Sequence, residues 1–257
     1  MMREVLDLLM PRECLVCGRQ LGAQEEHLCI WCAADLPYTA YWERPHNPMA
    51  NQFNALLERY RPAGEPMQYA YAAALMYYHH ENPYKYIPRA LKYGFNQKAG
   101  RYFSAILGRR LAKAPHFSDV DTVIPVPLHW WRKWRRGYNQ AEVIAAELAA
   151  ALHATLRTDV LIRARRTRSQ TRLSAAERLR NVEGVFHTRA DRLQSPVRCI
   201  SPFVRCRREP AAPPRHILLV DDTFTTGATL YACYKALRSA LGPSVRISIA
   251  TLAVVEA

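Results

Sequence analysis

The sequence lacks three features that define other classes of protein: a long apolar segment, a recognisable export signal and an internal repeat. No apolar run reaches the roughly 18 residues that a membrane span requires. The N-terminal stretch MMREVLDLLMPREC has too short an apolar part, and is too acidic, for a secretory signal. We therefore expect a cytoplasmic protein without a membrane span. Its 257 residues suffice for one good-sized core, or for one core with a small appended module.

Lysine is absent from one long stretch that is rich in arginine. Residues 157–215 contain fifteen Arg, no Lys and five acidic residues, and the whole chain carries a formal charge of +14. A second basic cluster occupies residues 132–136. Such a field attracts polyanions, either nucleic acid or a substrate with several phosphates, and arginine forms forked contacts with phosphate oxygens. A basic surface that is merely solvated is the alternative, because net charge alone is a weak functional signal.

Four of the seven cysteines form two C-x2-C pairs near the N-terminus, with eleven residues between the pairs: Cys14, Cys17, Cys29 and Cys32. In a cytosolic chain, paired cysteines favour metal binding over disulfides. Four thiolates with no open position favour a structural Zn²⁺, with an iron–sulfur cluster or a redox pair as alternatives. His27 lies nearby but is not needed as a ligand. So small a module cannot bury its own core, so metal binding should drive its folding.

The strongest motif is ILLVDDTFTTGATL, residues 217–230. It predicts a buried strand, two acids where the strand ends, and a turn of small residues that leads into a helix. In parallel sheets ligands bind beyond the carboxyl ends of the strands, and a small-residue turn before a helix directs several backbone N–H groups at a phosphate. Asp221 and Asp222 can accept hydrogen bonds from the vicinal hydroxyls of a ribose. The alternative is that the acids simply cap the helix.

The rest of the chain predicts alternating strands and helices. Predicted strands at 121–126, 217–220 and 245–255 alternate with predicted helices at 141–152 and 229–241. Strand, helix and strand at this spacing indicate βαβ units and a mainly parallel sheet.

Two other segments are less regular. Residues 69–78, YAYAAALMYY, fit either a strand or a buried helix. Residues 188–215 are rich in Pro and Arg and weak in periodicity, and we interpret them as an inserted loop.

The motif at residues 217–230 resembles the phosphoribosyl-pyrophosphate signature of type I phosphoribosyltransferases. Together with the Cys pairs, VIPVPLHWWRKWRRGYNQAEVIAAELA and RARRTRSQTRLSAAERLRNVEGVF are similar to the ComF-type competence family of phosphoribosyltransferase homologues. The resemblance implies a type I phosphoribosyltransferase α/β fold, with a mainly parallel sheet flanked by helices and a small N-terminal zinc-binding module. It divides the chain into a four-cysteine zinc-binding module (1–40), a connector and hood region (41–118) and a phosphoribosyltransferase-like domain (119–257).

The resemblance also implies roles for individual residues. Asp221 and Asp222 would face the ribose, and Lys92 would reach the site from the hood. The 5′-phosphate would contact the loop formed by Thr225, Thr226, Gly227, Ala228 and Thr229. Four arginines could neutralise a pyrophosphate as its bond to C1 breaks: Arg135, Arg136, Arg166 and Arg178. Three amides could supply neutral hydrogen bonds: Asn139, Gln140 and Gln170.

Some features depart from the family pattern or have two interpretations. Residues 188–215 are longer than is usual before the signature strand, and Phe224 is bulky beside a phosphate loop. Trp130, Trp131 and Trp134 lie beside or within the basic cluster. Aromatic residues interleaved with arginine can stack the bases of single-stranded nucleic acid, although anchoring the loop to the core is the simpler interpretation.

Three functions follow as hypotheses. The first is an enzyme, or at least a binder, of phosphoribosyl pyrophosphate with Mg²⁺, whose acceptor the sequence does not identify. The second is a competence-type DNA-uptake factor that holds single-stranded DNA or acts with competence proteins. The third is a sensor that binds the sugar phosphate without chemistry. We do not expect an amidophosphoribosyltransferase, because the chain shows no N-terminal catalytic Cys and has too few residues for a glutamine-hydrolysing domain.

Overall fold

The computed structural model describes residues 12–61, 64, 66, 68–79, 81–93, 96–165, 175–193 and 213–255. Its strands are β1 (Ala72–Tyr78), β2 (Thr122–Pro125), β3 (Thr155–Leu156), β4 (Leu161–Arg163), β5 (Phe186–Thr188), β6 (His216–Phe224) and β7 (Arg246–Val255). Its α-helices are α1 (Ile30–Ala34), α2 (Pro48–Arg59), α3 (Tyr86–Tyr93), α4 (Gln97–Leu111), α5 (Trp130–Arg136), α6 (Gln140–Leu152), α7 (Ala175–Val182), α8 (Ala190–Leu193) and α9 (Ala228–Leu241). Two 3-10 helices occupy Tyr41–Glu43 and Pro83–Lys85.

The main sheet has five parallel strands in the order β1-β7-β6-β2-β3. Strands that are covered on both faces are continuously apolar rather than alternating, and residues 217–220 and 249–250 are fully buried. The predicted α/β fold with a mainly parallel sheet flanked by helices is therefore confirmed. The ambiguous segment at residues 69–78 forms strand β1.

Successive residues of β6 enter different cores, as the period of two in a strand requires. Leu218 and Val220 belong to a core that includes residues of helices α3, α4 and α6. Ile217 and Leu219 belong to a second core that includes residues of α2 and α9. The sheet is thus sandwiched between two helical layers. The alternation ends before Phe224, which belongs to the same core as Ile217 and Leu219.

A smaller antiparallel ribbon of β4 and β5 accompanies the main sheet. The ribbon and helix α7 pack against helix α9. Residues 166–174, within the predicted basic loop, and residues 194–212, within the predicted insert, lie outside the described residues.

Among the helices that the structure describes, none combines the length and apolar character needed to cross a membrane.

Five residues hold the amino end of β6 in place, and we call them the strand-entry clamp: Asp119, Asp121, Arg215, His216 and Ser248. An Asp121 carboxylate oxygen accepts the backbone N–H groups of Arg215, at 2.8 Å, and of His216, at 3.4 Å. The buried His216 ring lies between Asp119, 2.7 Å from Nδ1, and the Ser248 hydroxyl, 2.8 Å from Nε2. Burial lowers the pKa of His216, although Asp119 opposes this shift. The clamp ties β6 to both neighbouring strands and fixes its register.

Candidate functional site

The two signature acids lie at the carboxyl edge of the sheet, where β6 has an open flank. Strand β2 pairs with β6 only as far as Val220, whereas β7 continues to pair with it as far as Phe224. Asp221 and Asp222 therefore lie inside the strand and not after its end, contrary to the sequence prediction, because the long β7 extends the ladder. Strand β2 does not pair with Asp221 or Asp222, so one flank of both residues is open at the edge where parallel sheets bind ligands, and we call this flank the crevice.

The strand alternation places the two carboxylates in different surroundings. Asp222 faces helix α3, where its carboxylate lies 3.2 Å from Lys92 Nζ. Asp221 lies within electrostatic reach of Arg163 on β4 and of Cys233 on α9. One Asp221 oxygen also accepts the backbone N–H of Asp222, at 2.8 Å. Both acids interact electrostatically with Lys92, and Asp221 also interacts with Arg163 and Cys233.

Lys92 reaches the acidic pair from the segment predicted as the hood. Its ammonium group lies 3.4 Å from the Thr223 hydroxyl, in addition to its ion pair with Asp222. The side chains of Lys92 and Asp222 are 28% and 17% exposed, so water screens the pair only partly. Burial alone would lower the pKa of Lys92, but Asp222 and then Asp221 outweigh it and raise this pKa. Lys92 is therefore a fixed positive charge in the crevice.

Asp221 has the most perturbed carboxyl group of the site. Burial, followed by the negative charge of Asp222, raises the pKa of Asp221 to about 7. The Asp222 amide, Lys92 and Arg163 oppose the shift without cancelling it. Near neutral pH this carboxyl group consequently exists in both protonation states, and it can accept or donate a hydrogen bond.

The turn after β6 requires glycine. Gly227 has φ +75° and is the N-cap of α9. A Cβ on this residue would lie 3.0 Å from two ring atoms of Phe224 and 3.1 Å from Cδ1 of Leu56. Phe224 is only 1% exposed, so its ring packs beneath the turn in the core. The bulky side chain that departs from the family pattern therefore does not compete for the ligand space.

The remaining loop residues line the start of helix α9. Thr225 and Thr226 are half-buried in the bend, and Ala228 and Thr229 begin the helix. The first turn of an α-helix has amide groups without partners inside the helix, and its dipole favours anions there. A turn of this kind before a helix can bind a phosphate.

Arg136, one of the predicted arginines, interacts electrostatically with Lys92 beside the acidic pair. Its guanidinium donates to Gln140 Oε1, at 3.2 Å, and its charge acts on Lys92. Arg135 is exposed, with its guanidinium 5.4 Å from the centre of the Trp131 ring. Arg178 is half-buried on α7. The predicted Arg166 and Gln170 lie outside the described residues.

Asn139 and Gln140, both predicted to bind substrate, are buried and make contacts that hold the fold. Asn139 Oδ1 accepts the N–H of Ala141 as the cap of α6, while its Nδ2 donates to the carbonyl of Val126, at 3.0 Å. Gln140 Nε2 donates to the carbonyl of Leu91, at 3.3 Å. These bonds fix helix α6 against β2 and α3. A role in substrate binding stays a prediction for both residues.

Sequence reasoning missed Arg163, which the structure places near Asp221. Its guanidinium also lies 5.2 Å from the centre of the Phe186 ring. The run RARR appears in the sequence as part of one uniform basic loop. The sequence did contain a signal: the apolar residues Val160, Leu161 and Ile162 just before Arg163 predict a short strand. A strand there would separate Arg163 from the basic loop that follows it.

The four N-terminal cysteines form a compact tetrad. Their sulfur atoms all lie within 4.8 Å of one another, and those of Cys17 and Cys29 are 3.7 Å apart. Tetrahedral Zn–S bonds of about 2.3 Å fit such spacings. Burial raises the pKa of the Cys14 thiol, but the backbone N–H groups around it outweigh this and lower it to about 7, which favours a thiolate ligand. The set fits one structural Zn²⁺, and His27 instead packs against the Tyr102 ring with centroids 5.3 Å apart.

Helix α5 corrects one sequence interpretation. Trp130 and Trp134 are 71% and 79% exposed, whereas Trp131 is half-buried. Anchoring of the loop to the core is therefore wrong for the two outer tryptophans and is consistent with Trp131 alone.

Fold and site together define an α/β protein with a parallel sheet, an acidic pair at its carboxyl edge and an N-terminal zinc ribbon. Residues 5–44 match the family described as Double zinc ribbon domain, which confirms the predicted zinc-binding module.

Curated relatives support the predicted resemblance. The chain is 33% identical over 133 residues to Competence protein F of Haemophilus influenzae, covering 51% of each protein. It is 36% identical over 110 residues to DNA utilization protein YhgH of Escherichia coli O157:H7, covering 43% of this chain and 40% of the relative. The YhgH protein of Salmonella typhimurium is 34% identical over the same length. The chain thus aligns with about half the length of these relatives, and the resemblance to competence-type proteins is confirmed.

Proposed function

We propose that this chain serves the uptake or utilisation of DNA, and that it does so through a pocket for a phosphoribosyl group at the carboxyl edge of β6. The names of the relatives support the first part. The observation that carries the second is the convergence of Lys92, Asp221 and Asp222 beside the glycine turn that begins helix α9.

The crevice has a chemically suitable place for each part of phosphoribosyl pyrophosphate. The backbone N–H groups of the Gly227 turn and of the first residues of α9 donate hydrogen bonds to the 5′-phosphate. Carboxylate oxygens of Asp222 and Asp221 accept ribose hydroxyl hydrogens. Lys92 and Arg136 supply positive charge for the pyrophosphate group.

Mg²⁺ enters this proposal with the substrate and not as a resident ion. Carboxylate oxygens are suitable ligands for Mg²⁺, which is usually held by one or two carboxylates together with substrate phosphates. Here Lys92 already pairs with Asp222, so the acidic pair alone leaves little negative charge for a free cation. The donor set fits a magnesium ion that arrives on the pyrophosphate.

If the bound group is transferred, an acceptor N–H or O–H attacks the ribose C1 while the bond from C1 to the pyrophosphate oxygen breaks. The acceptor loses a proton and pyrophosphate leaves. Arg136, and Arg135 on the same helix, would stabilise the departing charge. A pocket that binds without turnover would make the protein a sensor in DNA uptake.

Calorimetry with phosphoribosyl pyrophosphate and Mg²⁺ tests the pocket. We expect Asp222→Asn and Lys92→Met each to weaken binding at least about tenfold, the loss of a charge-assisted contact worth about 1.4 kcal/mol or more. Asp191→Asn is the matched control, because this carboxylate is 74% exposed on helix α8. Unchanged affinity in the two site variants would refute the pocket.

Pyrophosphate release separates transfer from sensing. The wild-type protein is incubated with phosphoribosyl pyrophosphate, Mg²⁺ and a panel of bases, amines and oligonucleotides. Release that depends on one class of acceptor supports an enzyme. Tight binding without release from any acceptor supports a sensor.

A further inference from the structure

Helix α5 exposes two large aromatic side chains that the phosphoribosyl pocket does not use. Trp130 and Trp134 are 71% and 79% exposed, although tryptophan is highly buried on average. Their spacing of four residues places them one turn apart on the same side of the helix, with Cβ atoms about 5–6 Å apart. Trp131, in contrast, is half-buried beneath the guanidinium of Arg135.

The charge of the helix selects the kind of molecule that would cover these rings. The α5 sequence WWRKWRR contains four cationic residues and no acid. Lys133 forms an ion pair with Glu142, at 3.0 Å, while Arg135 is exposed to solvent. Flat aromatic faces interleaved with positive charge match a chain of nucleobases joined by phosphates. A duplex hides the faces of its bases, so a single strand is the matching form.

The position of the helix connects this surface with the acidic pair. Arg136, the last residue of α5, acts electrostatically on Lys92, which pairs with Asp222. Along the helix axis, Trp130 is only about 9 Å from Arg136. A strand lying on the two indoles would therefore run next to the proposed pocket.

We propose that Trp130 and Trp134 form a base-stacking platform for single-stranded DNA. The choice of DNA as the nucleic acid rests on the proposed function, whereas the stacking surface does not depend on phosphoribosyl binding. The platform holds the strand by its base faces, without reading its sequence, and the cations of α5 contact its phosphates.

Fluorescence anisotropy with a labelled oligothymidylate of about 20 nucleotides tests the platform. We expect the double variant Trp130→Ala/Trp134→Ala to bind about 30-fold more weakly or worse, since each lost stack is worth about 1 kcal/mol or more. Trp130→Phe/Trp134→Phe, which keeps two aromatic faces, should recover most of the affinity. Trp31→Ala is the matched control, because Trp31 is 68% exposed on the zinc module, and its affinity should stay within about twofold of wild type.

Salt dependence separates stacking from charge. The slope of log affinity against log salt should be the same in wild type and in the double Ala variant, because their charges are equal. Arg135→Gln should reduce the slope by about one. Wild-type affinity in the double Ala variant would overturn the proposal. An equal loss of oligonucleotide affinity in Trp31→Ala would also overturn it. So would a double Ala variant that loses binding to phosphatidylglycerol vesicles but keeps its affinity for the oligonucleotide.

The same variants keep this proposal distinct from the pocket. The tryptophan variants are also titrated with phosphoribosyl pyrophosphate and Mg²⁺, and circular dichroism checks that each variant is folded. If the oligonucleotide results hold but no sugar phosphate binds, the pocket fails and the platform stands. The platform fails and the pocket stands if the sugar phosphate binds but the tryptophan substitutions leave oligonucleotide affinity unchanged. The same holds if the wild-type protein binds the sugar phosphate but not the oligonucleotide.

Discussion

Asp221 and Asp222 show how strongly one position along a strand changes the chemistry of the same side chain. Asp222 lies beside a lysine at 3.2 Å. Asp221 turns toward the other core, where burial and the charge of its neighbour raise its pKa to about 7. The first is paired with a cation, and the second changes its charge near neutral pH. The two acids should therefore respond differently to substitution.

Stability against pH tests the assignment of Asp221. A carboxyl group whose pKa rises from 3.8 when unfolded to about 7 when folded binds its proton more tightly in the native state, so stability falls as pH rises between these values. In urea unfolding, we expect the free energy of unfolding of Asp221→Asn to rise relative to that of wild type by about 2 to 3 kcal/mol between about pH 5 and about pH 8. For the exposed Asp191→Asn, the difference in free energy of unfolding from wild type should not change with pH. An equal gain in both variants would contradict the assignment.

The contact between Gly227 and Phe224 gives a second prediction at this scale. Gly227→Ala should destabilise the fold by about 1 to 3 kcal/mol, because it adds a Cβ at positive φ against the Phe224 ring. Phe224→Leu should relieve part of this clash in the double variant. A cycle of urea unfolding on the four proteins measures the coupling. Strict additivity would show that the ring is not the obstacle.

At the residue scale the sequence was informative where chemistry is local. The acid pair, the glycine turn and the N-terminal cysteines follow from motifs. The structure places Lys92 3.2 Å from Asp222, and its role in binding stays a prediction. The opposite orientation of the acids does not follow, because it depends on how far β7 extends the ladder beside β6. Arg163 was missed for a similar reason, since only the ribbon partner β5 brings β4 to the site.

The zinc ribbon is stabilised by metal ligation and also contacts the rest of the molecule. The Tyr84 hydroxyl donates to the carbonyl of Cys32, at 3.0 Å, and the His27 ring packs on Tyr102 of helix α4. Its short helix α1 contains no buried residue. The module also buries Val16, Leu21 and Leu28 in the core that includes residues of helix α4, so metal ligation and this packing together hold it in place.

Metal analysis checks this interpretation. We expect one Zn²⁺ per chain, because the described tetrad offers ligands for a single ion. Cys29→Ser should lose the metal. Cys233→Ser, which changes a buried cysteine in helix α9, should retain it. Two ions per chain, or full zinc content in Cys29→Ser, would contradict the one-site assignment.

Element boundaries show what sequence patterns can and cannot give. The helices at 141–152 and 229–241 were predicted to within one residue, because apolar spacing and a closing Gly242 mark them. In RGYNQ, however, the resemblance suggested ligand contacts, whereas Asn139 caps helix α6. Capping and ligand binding use the same side-chain atoms, so the motif alone does not separate them.

At the scale of the whole molecule, the segment before residue 119 is part of the sheet. Strand β1 forms one edge, and residues 72–76 are buried. Residues 37–39 in turn cover the outer side of β1: the Thr39 amide donates to Leu75, and the Tyr77 amide donates to Pro37. The predicted division at residue 118 therefore separates strands that pair with each other, and the division remains to be tested.

Truncation provides that test. A chain of residues 36–257 should unfold cooperatively on heating, because it keeps β1 and its cover. A chain of residues 119–257 should show no cooperative transition, because it exposes the apolar edge of β7 and loses helix α4, which packs on α6. Circular dichroism during heating distinguishes the two. Cooperative unfolding of 119–257 would establish an independent phosphoribosyltransferase-like domain.

The fold class was predictable because covered parallel strands are continuous apolar runs, as ILLV at residues 217–220 shows. The strand order was not, because it depends on pairings between segments far apart in the chain. Strand β1 pairs with β7 across more than 170 residues, and no local pattern records that contact.

The strand-entry clamp has a consequence for how this molecule can vary. Some two dozen residues of arginine- and proline-rich chain precede Arg215, and their length would otherwise set where β6 begins. A slip of one residue would exchange the faces of the two acids. Since Asp121 and His216 fix the strand's starting point, insertions or deletions upstream are absorbed before they reach it. Evolution can thus lengthen or shorten that segment while the chemistry five residues downstream keeps its orientation.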